Sequence, residues 1–404
     1  MKAAKINDRI WALHADIETD DLFEGIWPIP EGVSLNSYLV KGEKTALIDL
    51  VRDWSGAADR LKAQLADAGA AVDSIEYLVL NHLEPDHTGW LAEFKKANPG
   101  VTIVSTAKGI ELVKSFYKIT DGLMAVKSGD VLDLGGVRLA FEEIPNVHWP
   151  ETMVTFEPES GVLFSCDAFG SYGKLGNRVF DDEYYAEEHA FFEEESLRYY
   201  ANIVSSFSLF VKKAIQKLAP LDIKVIAPSH GIIWREKPQV IIDRYLKYAG
   251  YMEGPQEKEV CVVWGSMYGN TEKGLQAALK GLEDEGVGYS IHRVPNEDVS
   301  FILADAYKSA GVLIAMPTYE YKMFPPMAYV LDIFERKHVW NRKALRIGSW
   351  GWIGGAKKEY DARIAPLKWD CVEPVEWAGS PDEATLALLR ERGRELARAI
   401  KASS

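Results

Sequence analysis

Two histidines and two acidic residues fall within six consecutive positions directly after an apolar run. In the stretch YLVLNHLEPDHTGW they are His82, Glu84, Asp86 and His87. Residues at alternate positions can point the same way, and Pro85 and Gly89 supply the bend that an adjacent Asp–His pair needs. Imidazole nitrogens and carboxylate oxygens so close together are typical of a transition-metal site. We therefore predict metal binding here; the alternative is an ordinary helix N-cap formed by Asp86.

Three further candidate ligands each lie at a strand end or in a turn. They are His148 after EEIPNV, Asp167 at the end of GVLFSCD, and His230 at the end of IKVIAPS. Strand ends and the loops after them are where α/β folds place binding chemistry. Cys166 adjoins Asp167, but strand alternation predicts that its thiol points to the opposite face and is a buried structural group.

A second group of polar residues lies between an apolar strand and a helix start, in VVWGSMYGNTEKG. The backbone N–H groups of such a loop, with the positive end of the helix, hold a phosphate without needing a lysine. Neither a Walker motif nor Gly-x-Gly-x-x-Gly is present, so the loop favours a mononucleotide over ATP or a dinucleotide. The candidate binding residues are Ser266, Met267, Tyr268, Gly269, Asn270 and Thr271.

Two later loops, PTYEY and GSWGWIGGA, follow strands of the same region. Aromatic side chains in them could flank a flat ring system, and their glycines would let the backbone approach it. For the tryptophans the alternative is simple core packing. The candidates from these loops are Pro317, Thr318, Tyr319, Glu320, Ser349, Trp350, Gly351, Trp352 and Gly354.

The elements that position these residues differ between the two halves of the chain. The first half predicts a hairpin at SLNSYLV and KTALIDLV, helices at GAADRLKAQLADAG and WLAEFKKANP, and several further strands. From Val260 onwards, apolar strands alternate with amphipathic helices, which predicts a doubly wound parallel sheet. The polar segment GYMEGPQEKE separates the halves. We expect an α/β protein with domains at residues 1–250 and 258–404.

Composition excludes several classes of partner. The chain has 404 residues, 47% hydrophobic and 26% charged, with a formal net charge of −14. Nucleic acid is an unlikely partner for so acidic a chain, and the absence of about 18 consecutive apolar residues argues against a membrane span. The three cysteines are scattered singly, and the first residues do not read as a leader, so a reducing, cytoplasmic location is expected.

The motif His-x-x-x-Asp-His-x-Gly, with separate His, Asp and His residues downstream, resembles the metallo-β-lactamase fold. The hydrolases of that superfamily usually carry His-x-His-x-Asp-His and use two zinc ions to activate water. In this chain Glu84 stands where the second histidine would be. A hard carboxylate in place of an imidazole moves the preference of the site toward iron and its Fe(III) state.

With a flavodoxin-like half downstream, the whole chain is similar to the flavodiiron proteins, also called A-type flavoproteins. The resemblance implies a metallo-β-lactamase-like αβ/βα sandwich followed by an FMN-binding flavodoxin-like domain. It also implies one iron held by His82, Glu84 and His148, another held by Asp86, His87 and His230, and a bridge formed by Asp167. A tyrosine near the metals is a family feature; we assign it to Tyr199 as a catalytic candidate, with core packing as the alternative.

The activity implied by the resemblance is reduction of dioxygen to water, of nitric oxide to nitrous oxide, or of both. Reduced FMN and two Fe(II) ions together hold the four electrons that dioxygen needs, whereas two nitric oxide molecules need two. The resemblance implies an external donor such as rubredoxin and a head-to-tail homodimer. Glu320 departs from the asparagine usual in the family, and a carboxylate cannot donate a hydrogen bond to flavin. Two alternatives remain: a dizinc hydrolase fused to a flavodoxin-like module, and a carrier that uses FMN alone.

Overall fold

The computed structural model describes residues 2–254 and 256–403 as two compact units. The first unit comprises the chain up to Tyr200 together with Leu209–Leu246. The second comprises Ala201–Ser208 and the chain from Lys247 onwards. A short segment from the middle of the predicted first domain therefore packs with the second unit.

The first unit is built on two sheets. Its strands are β1 Ala4–Lys5, β2 Ile10–Ile17, β3 Val33–Lys41, β4 Thr45–Ile48, β5 Tyr77–Val79, β6 Thr102–Thr106, β7 Leu123–Val126, β8 Val131–Asp133, β9 Arg138–Glu143, β10 Met153–Glu157, β11 Val162–Cys166 and β12 Val225–Pro228. Its helices are α1 Ala57–Asp67, α2 Pro85–Thr88, α3 Leu91–Ala97, α4 Ala107–Tyr117, α5 Ala186–Tyr199, α6 Ser208–Leu218 and α7 Pro238–Tyr251. The first residue of α6 and the last turn of α7 belong to the second unit.

The first sheet of this unit has the order β1-β2-β3-β4-β5-β6-β7, and the second has the order β12-β11-β10-β9-β8. Side chains join the two sheets in the core. The ring centroids of Tyr38 on β3 and Phe164 on β11 lie 5.1 Å apart, and the Tyr38 hydroxyl donates to the carbonyl of Pro228 at 2.6 Å. This arrangement brings the ends of β5, β11 and β12 toward one region of the unit.

The second unit contains a parallel sheet with helices that pack on it. Its strands are β13 Glu257–Trp264, β14 Tyr289–Arg293, β15 Ser309–Ala315, β16 Thr318–Tyr319, β17 Lys322–Met323, β18 Lys343–Trp350, β19 Asp370–Cys371 and β20 Val375–Ala378. Its helices are α8 Asn270–Asp284, α9 Val299–Lys308, α10 Pro325–Arg336, α11 Ala356–Ile364 and α12 Glu383–Ala402.

Strand order in this sheet is β14-β13-β15-β18-β19, with β20 also paired to β18, and every pair is parallel. Placing the second strand outside the first is the doubly wound order that binds ligands at the carboxyl ends of its strands. The α/β class predicted from the sequence is confirmed. Strands β14, β19 and β20 of this sheet were not identified from the sequence.

Within residues 2–254 and 256–403, no helix combines the length and apolar character needed to cross a bilayer.

Candidate functional site

The His82–Gly89 motif begins three residues after strand β5 and bends at the predicted proline. Glu84 is extended and precedes the short helix α2, which Pro85 opens. The backbone N–H of Arg52 donates to the carbonyl of Asp86 at 2.7 Å, so the loop after β4 holds the turn in place. A Cβ added at Gly89 would lie 2.7 Å from the carbonyl oxygen of Pro85, which explains why glycine ends the turn.

The other candidate ligands enter from the second sheet of the first unit. His148 lies in the turn before β10, Asp167 directly follows β11, and His230 lies two residues after β12. The four histidines of the cluster and Asp167 are buried, while Glu84 and Asp86 keep a small exposed fraction. The structure thus brings together all seven residues that the sequence singled out.

Asp167 lies between the two halves of this cluster. Its Oδ2 atom is 3.4 Å from Nε2 of His82 and 3.5 Å from Nε2 of His148. Its Oδ1 atom is 3.0 Å from Nε2 of His87 and 3.3 Å from Nε2 of His230. One carboxylate therefore presents a separate oxygen to each pair of imidazoles, which is the arrangement needed to bridge two cations.

Each of the remaining two carboxylates faces one half of the cluster. Glu84 Oε2 lies 2.9 Å from Nε2 of His148 and 3.3 Å from Nε2 of His82. Asp86 places Oδ2 3.1 Å from Nε2 of His230 and Oδ1 3.4 Å from Nε2 of His87. In this way each half of the cluster offers two imidazoles and one carboxylate, with Asp167 shared.

Electrostatics within the cluster favour bound positive charge. Burial lowers the pKa of each imidazole, but the surrounding carboxylates more than offset this, and the pKa rises to about 10 for His82 and His230 and to about 9 for His87 and His148. Burial acts to raise the pKa of Asp167, yet the histidines hold it well below its usual range. In the metal-free cluster, protons on the imidazoles balance the charge of the carboxylates. A metal ion would displace these protons, since a ligating imidazole must be neutral.

Two buried carboxylate oxygens also favour a cation in this cluster. Among the residues that the structure describes, none donates a hydrogen bond to Asp86 Oδ1 or Asp167 Oδ2, although both atoms lie in the interior among imidazoles. Buried polar atoms normally have a partner, and a cation bound between the ligands would provide one. Four imidazoles and three carboxylates are a suitable donor set for two first-row transition metals.

Tyr199 contacts the shared carboxylate. Its hydroxyl donates to Asp167 Oδ1 at 3.0 Å, and the side chain is fully buried at the end of α5. Burial, together with the charge of Asp167, raises the pKa of this phenol well above its usual value, so it stays a hydrogen-bond donor. The contact supports the choice of Tyr199 over Tyr200, while its catalytic role stays a prediction.

Groups outside the cluster contact the outer nitrogens of three cluster histidines, meaning the Nδ1 atoms, which face away from the carboxylates of the cluster. His82 Nδ1 lies 2.8 Å from a carboxylate oxygen of Glu151, and His230 Nδ1 lies 2.9 Å from the carbonyl oxygen of Ser34. Cys166 Sγ lies 3.9 Å from Nδ1 of His87, on the side of the ring away from Asp167, where Asp49 also lies close. Glu151 was missed by the sequence reading, and the available signal was an acid three positions after His148 in HWPE.

In the second unit, the loop after β13 leads into α8 as predicted. Gly269 has φ +87° at the start of this helix, and its N–H donates to Ser266 Oγ at 2.9 Å. Thr271 Oγ1 and Ser349 Oγ lie 2.8 Å apart, so a buried hydrogen bond joins this loop to the end of β18. Three loops from strand ends therefore meet at one edge of the sheet.

An open pocket of about 320 Å³ lies between these loops. Most of the predicted binding residues line it: Ser266, Met267, Tyr268, Asn270, Pro317, Thr318, Tyr319, Glu320, Ser349, Trp350, Gly351 and Trp352. Three predicted residues, Gly269, Thr271 and Gly354, lie in the loops but not in the lining. Three others were missed, namely Tyr321, Ile353 and Gly379. Tyr321 and Ile353 lie within the two loops singled out, and Gly379 follows β20.

The chemistry of the pocket suits a flat ring with a phosphate tail. Tyr268 is 90% exposed and Trp352 is 73% exposed, so aromatic faces stand open to a ligand. Among the described residues that line the pocket there is no lysine or arginine, which leaves hydroxyls and backbone N–H groups to hold a phosphate. Glu320 has φ +45° in this lining and presents a carboxylate there.

Comparisons with known proteins cover nearly the whole chain. Residues 33–231 match the model of the ODP family beta lactamase. The anaerobic nitric oxide reductase flavorubredoxin of Pectobacterium carotovorum is 34% identical over 398 residues, which is 97% of this chain and 77% of that protein.

Solved structures of known proteins also match this chain along nearly its full length. The rubredoxin oxygen:oxidoreductase of Desulfovibrio gigas superposes with a TM-score of 0.93 at 28% identity, over 99% of each chain. The flavodiiron protein of Giardia intestinalis superposes with a TM-score of 0.92 at 26% identity, over 100% of this chain and 97% of that one. The chain therefore belongs to the flavodiiron proteins, a family whose named members are oxidoreductases.

Proposed function

We propose that this chain is a flavodiiron gas reductase that reduces nitric oxide to nitrous oxide, dioxygen to water, or both, with FMN and two iron ions as cofactors. The observation that carries the proposal is the position of Asp167, with one oxygen toward His82 and His148 and the other toward His87 and His230. Relatives named for nitric oxide reduction and for oxygen reduction support the two substrates.

The cluster residues would hold the metals as two adjacent sites. His82, Glu84 and His148 would bind one iron, and Asp86, His87 and His230 would bind the other. When bound, the iron pair supplies electrons and a Lewis-acidic surface for a diatomic gas. Asp167 would be shared by the two sites, and the Tyr199 hydroxyl, whose oxygen lies 3.0 Å from Asp167 Oδ1, donates its proton to that carboxylate.

A cavity in the first unit reaches the exposed edge of this cluster. Phe23, Arg52 and Trp54 line it together with Glu84 and Asp86. The Arg52 guanidinium lies 4.9 Å from the centre of the Trp54 ring, a cation–π contact that orders this wall. Because this cavity reaches Glu84 and Asp86 of the cluster, we propose it as the route by which gas enters.

The pocket of the second unit would hold FMN. Loop N–H groups and the hydroxyls of Ser266 and Thr318 would bind the phosphate and ribityl chain, and Trp350 and Tyr319 would flank the ring. We further propose a rubredoxin-type electron donor, a head-to-tail homodimer and a cytoplasmic location. These follow from the resemblance of the chain to its family rather than from contacts within it.

The test is anaerobic reduction of the purified protein, followed by separate pulses of nitric oxide and dioxygen, with reoxidation timed by flavin absorbance. We expect reoxidation by at least one gas, with nitrous oxide or water as the product. Reduced protein that consumes neither gas would contradict the proposal and favour a carrier that uses FMN alone. Zinc in the cluster together with esterase activity would instead favour the hydrolase.

A further inference from the structure

The outer nitrogens of two cluster histidines have partners of different charge. His82 Nδ1 lies 2.8 Å from Oε1 of Glu151, a carboxylate. His230 Nδ1 lies 2.9 Å from the backbone carbonyl oxygen of Ser34, a neutral acceptor. The two histidines belong to different halves of the cluster, so the halves are not equivalent beyond their ligands.

Glu151 is fixed in place as a buried group. It is 2% exposed, and its Oε1 atom also accepts the backbone N–H of Leu83 at 3.1 Å. Its backbone carbonyl accepts the hydroxyl of Thr106 at 3.0 Å, which anchors the turn that also carries His148. Glu151 therefore joins the loop of His82 to the turn of His148.

The ring of His82 has little freedom as a result. The edge of Trp149 lies against it, with ring centroids 5.0 Å apart and an interplanar angle of 86°. With Nδ1 held by Glu151, Nε2 faces Glu84 and Asp167 at 3.3 Å and 3.4 Å. The hydrogen bond thus selects the tautomer that leaves Nε2 free to bind a metal.

A carboxylate acceptor makes an imidazole a stronger electron donor than a carbonyl acceptor does, because it draws the Nδ1 proton and raises the basicity of Nε2. We propose that Glu151 is a positioning residue that strengthens metal binding in the His82–Glu84–His148 half selectively, so that the two irons differ in affinity and in ease of reduction. This inference rests on the proposed diiron function.

The test compares Glu151→Gln with wild type in anaerobic Fe(II) titrations under a chelator buffer, with Mössbauer spectra of the ⁵⁷Fe-loaded proteins. The matched control is Glu157→Gln, since Glu157 is also a buried glutamate, 3% exposed, whose carboxylate accepts the N–H groups of Glu159 and Ser160 at 2.9 Å. We expect Glu151→Gln to lower the affinity for one iron by about 10-fold, within the range typical for outer hydrogen-bond partners. The affinity of this variant for the second iron, and the affinities of Glu157→Gln for both irons, should stay within about twofold of wild type.

Several outcomes would overturn the inference. Wild-type affinity for both irons in Glu151→Gln, or an equal loss of both irons, would show that Glu151 has no selective role. If the wild-type protein fails to bind two irons, the proposed function itself is contradicted. If it binds two irons but Glu151→Gln shows no selective loss, only the inference about Glu151 is contradicted.

A second measurement needs no variant. In the zinc-loaded wild-type protein, the Nδ1 proton of His82 should resonate downfield of the Nδ1 proton of His230, since a carboxylate acceptor deshields it more than a carbonyl does. Coincident resonances would contradict the inference.

Discussion

The metal cluster and the mononucleotide pocket are built in opposite ways. The cluster is buried and made from side chains, with His82 at 0% and Asp167 at 1% exposure. The pocket is open and made from loops, and its rim exposes Tyr268 at 90% and Trp352 at 73%. The cluster therefore fixes its ligand through residue type and charge, whereas the pocket does so through backbone shape. Damage to one site should leave the cofactor of the other site in place.

The largest effect should come from Asp167→Ala, because this substitution removes the oxygen that each half of the cluster receives from the shared carboxylate. Loss of an outer partner costs about 10- to 100-fold in metal affinity, so loss of a direct ligand should exceed this. We expect less than one iron per chain, gas reduction lowered by more than about 100-fold, and unchanged FMN content. Iron analysis and flavin absorbance check this. Loss of flavin together with iron would contradict the claim that each site holds its cofactor independently of the other.

The reciprocal variant is Gly355→Ala. A Cβ at this position would lie 2.2 Å from the backbone carbonyl oxygen of Tyr321, so two loops of the pocket must separate. We expect FMN affinity to fall by about 10-fold or more, as for overpacking costs of about 1–3 kcal/mol, with iron retained. Flavin release on dilution, followed by fluorescence, measures it. The matched control is Gly288→Ala, where an added Cβ meets open space; equal flavin loss in both variants would contradict the explanation.

Metal binding to the cluster should release protons, and iron affinity should rise with pH. The metal-free imidazoles have pKa values of about 9 to 10, above the value of about 6.5 in an unfolded chain. Their contribution to metal-free stability is therefore complete below about pH 6.5 and is lost as pH rises through 9 to 10. Calorimetric titrations of Fe(II) in buffers of different ionisation enthalpy should show release of more than one proton at pH 7. FMN binding should show no comparable release; a pH-independent iron affinity would contradict the account.

The smallest effect expected is that of Tyr199→Phe. It removes the hydrogen bond from the hydroxyl to Asp167 Oδ1 at 3.0 Å but no ligand. A hydrogen bond to a charged group contributes about 1.5–3 kcal/mol, so we expect a loss of about 10-fold in gas-reduction rate with iron and FMN retained. The control is Tyr245→Phe, a buried tyrosine whose hydroxyl donates to the carbonyl of Gly170 at 2.7 Å. Equal rates in the two variants would show that contact with Asp167 has no special role.

The seven residues of the cluster could be singled out from the sequence because most of them carry a spacing signal, and the structure brings them together. The His82–Gly89 motif is local, and each separate ligand follows an apolar strand that ends at the same region of a sandwich. Glu151 carries only the weak signal of an acid three positions after His148, because its contact with His82 forms only once the loops of two different sheets meet. In the pocket, the loops were recognisable, but Gly379 contributes only through the pairing of β20 with β18.

The division of the chain into two units depends partly on contacts that local sequence does not indicate. The segment Ala201–Ser208 groups with the second unit, although it lies about fifty residues before the polar segment predicted to separate the domains. It begins within a π-helical turn, Tyr200–Val204, that directly follows Tyr199. Asn202 Nδ2 there donates to Ser300 Oγ at 2.6 Å. Local propensity cannot indicate such a contact, because its partner lies about 100 residues away in sequence.

The most direct test of the account is elemental analysis of the protein purified without added metal from cells supplied with both iron and zinc. A cluster in which Glu84 replaces an imidazole should prefer iron, so we predict about two irons per chain and little zinc. Two zinc ions per chain and no iron would contradict the central claim.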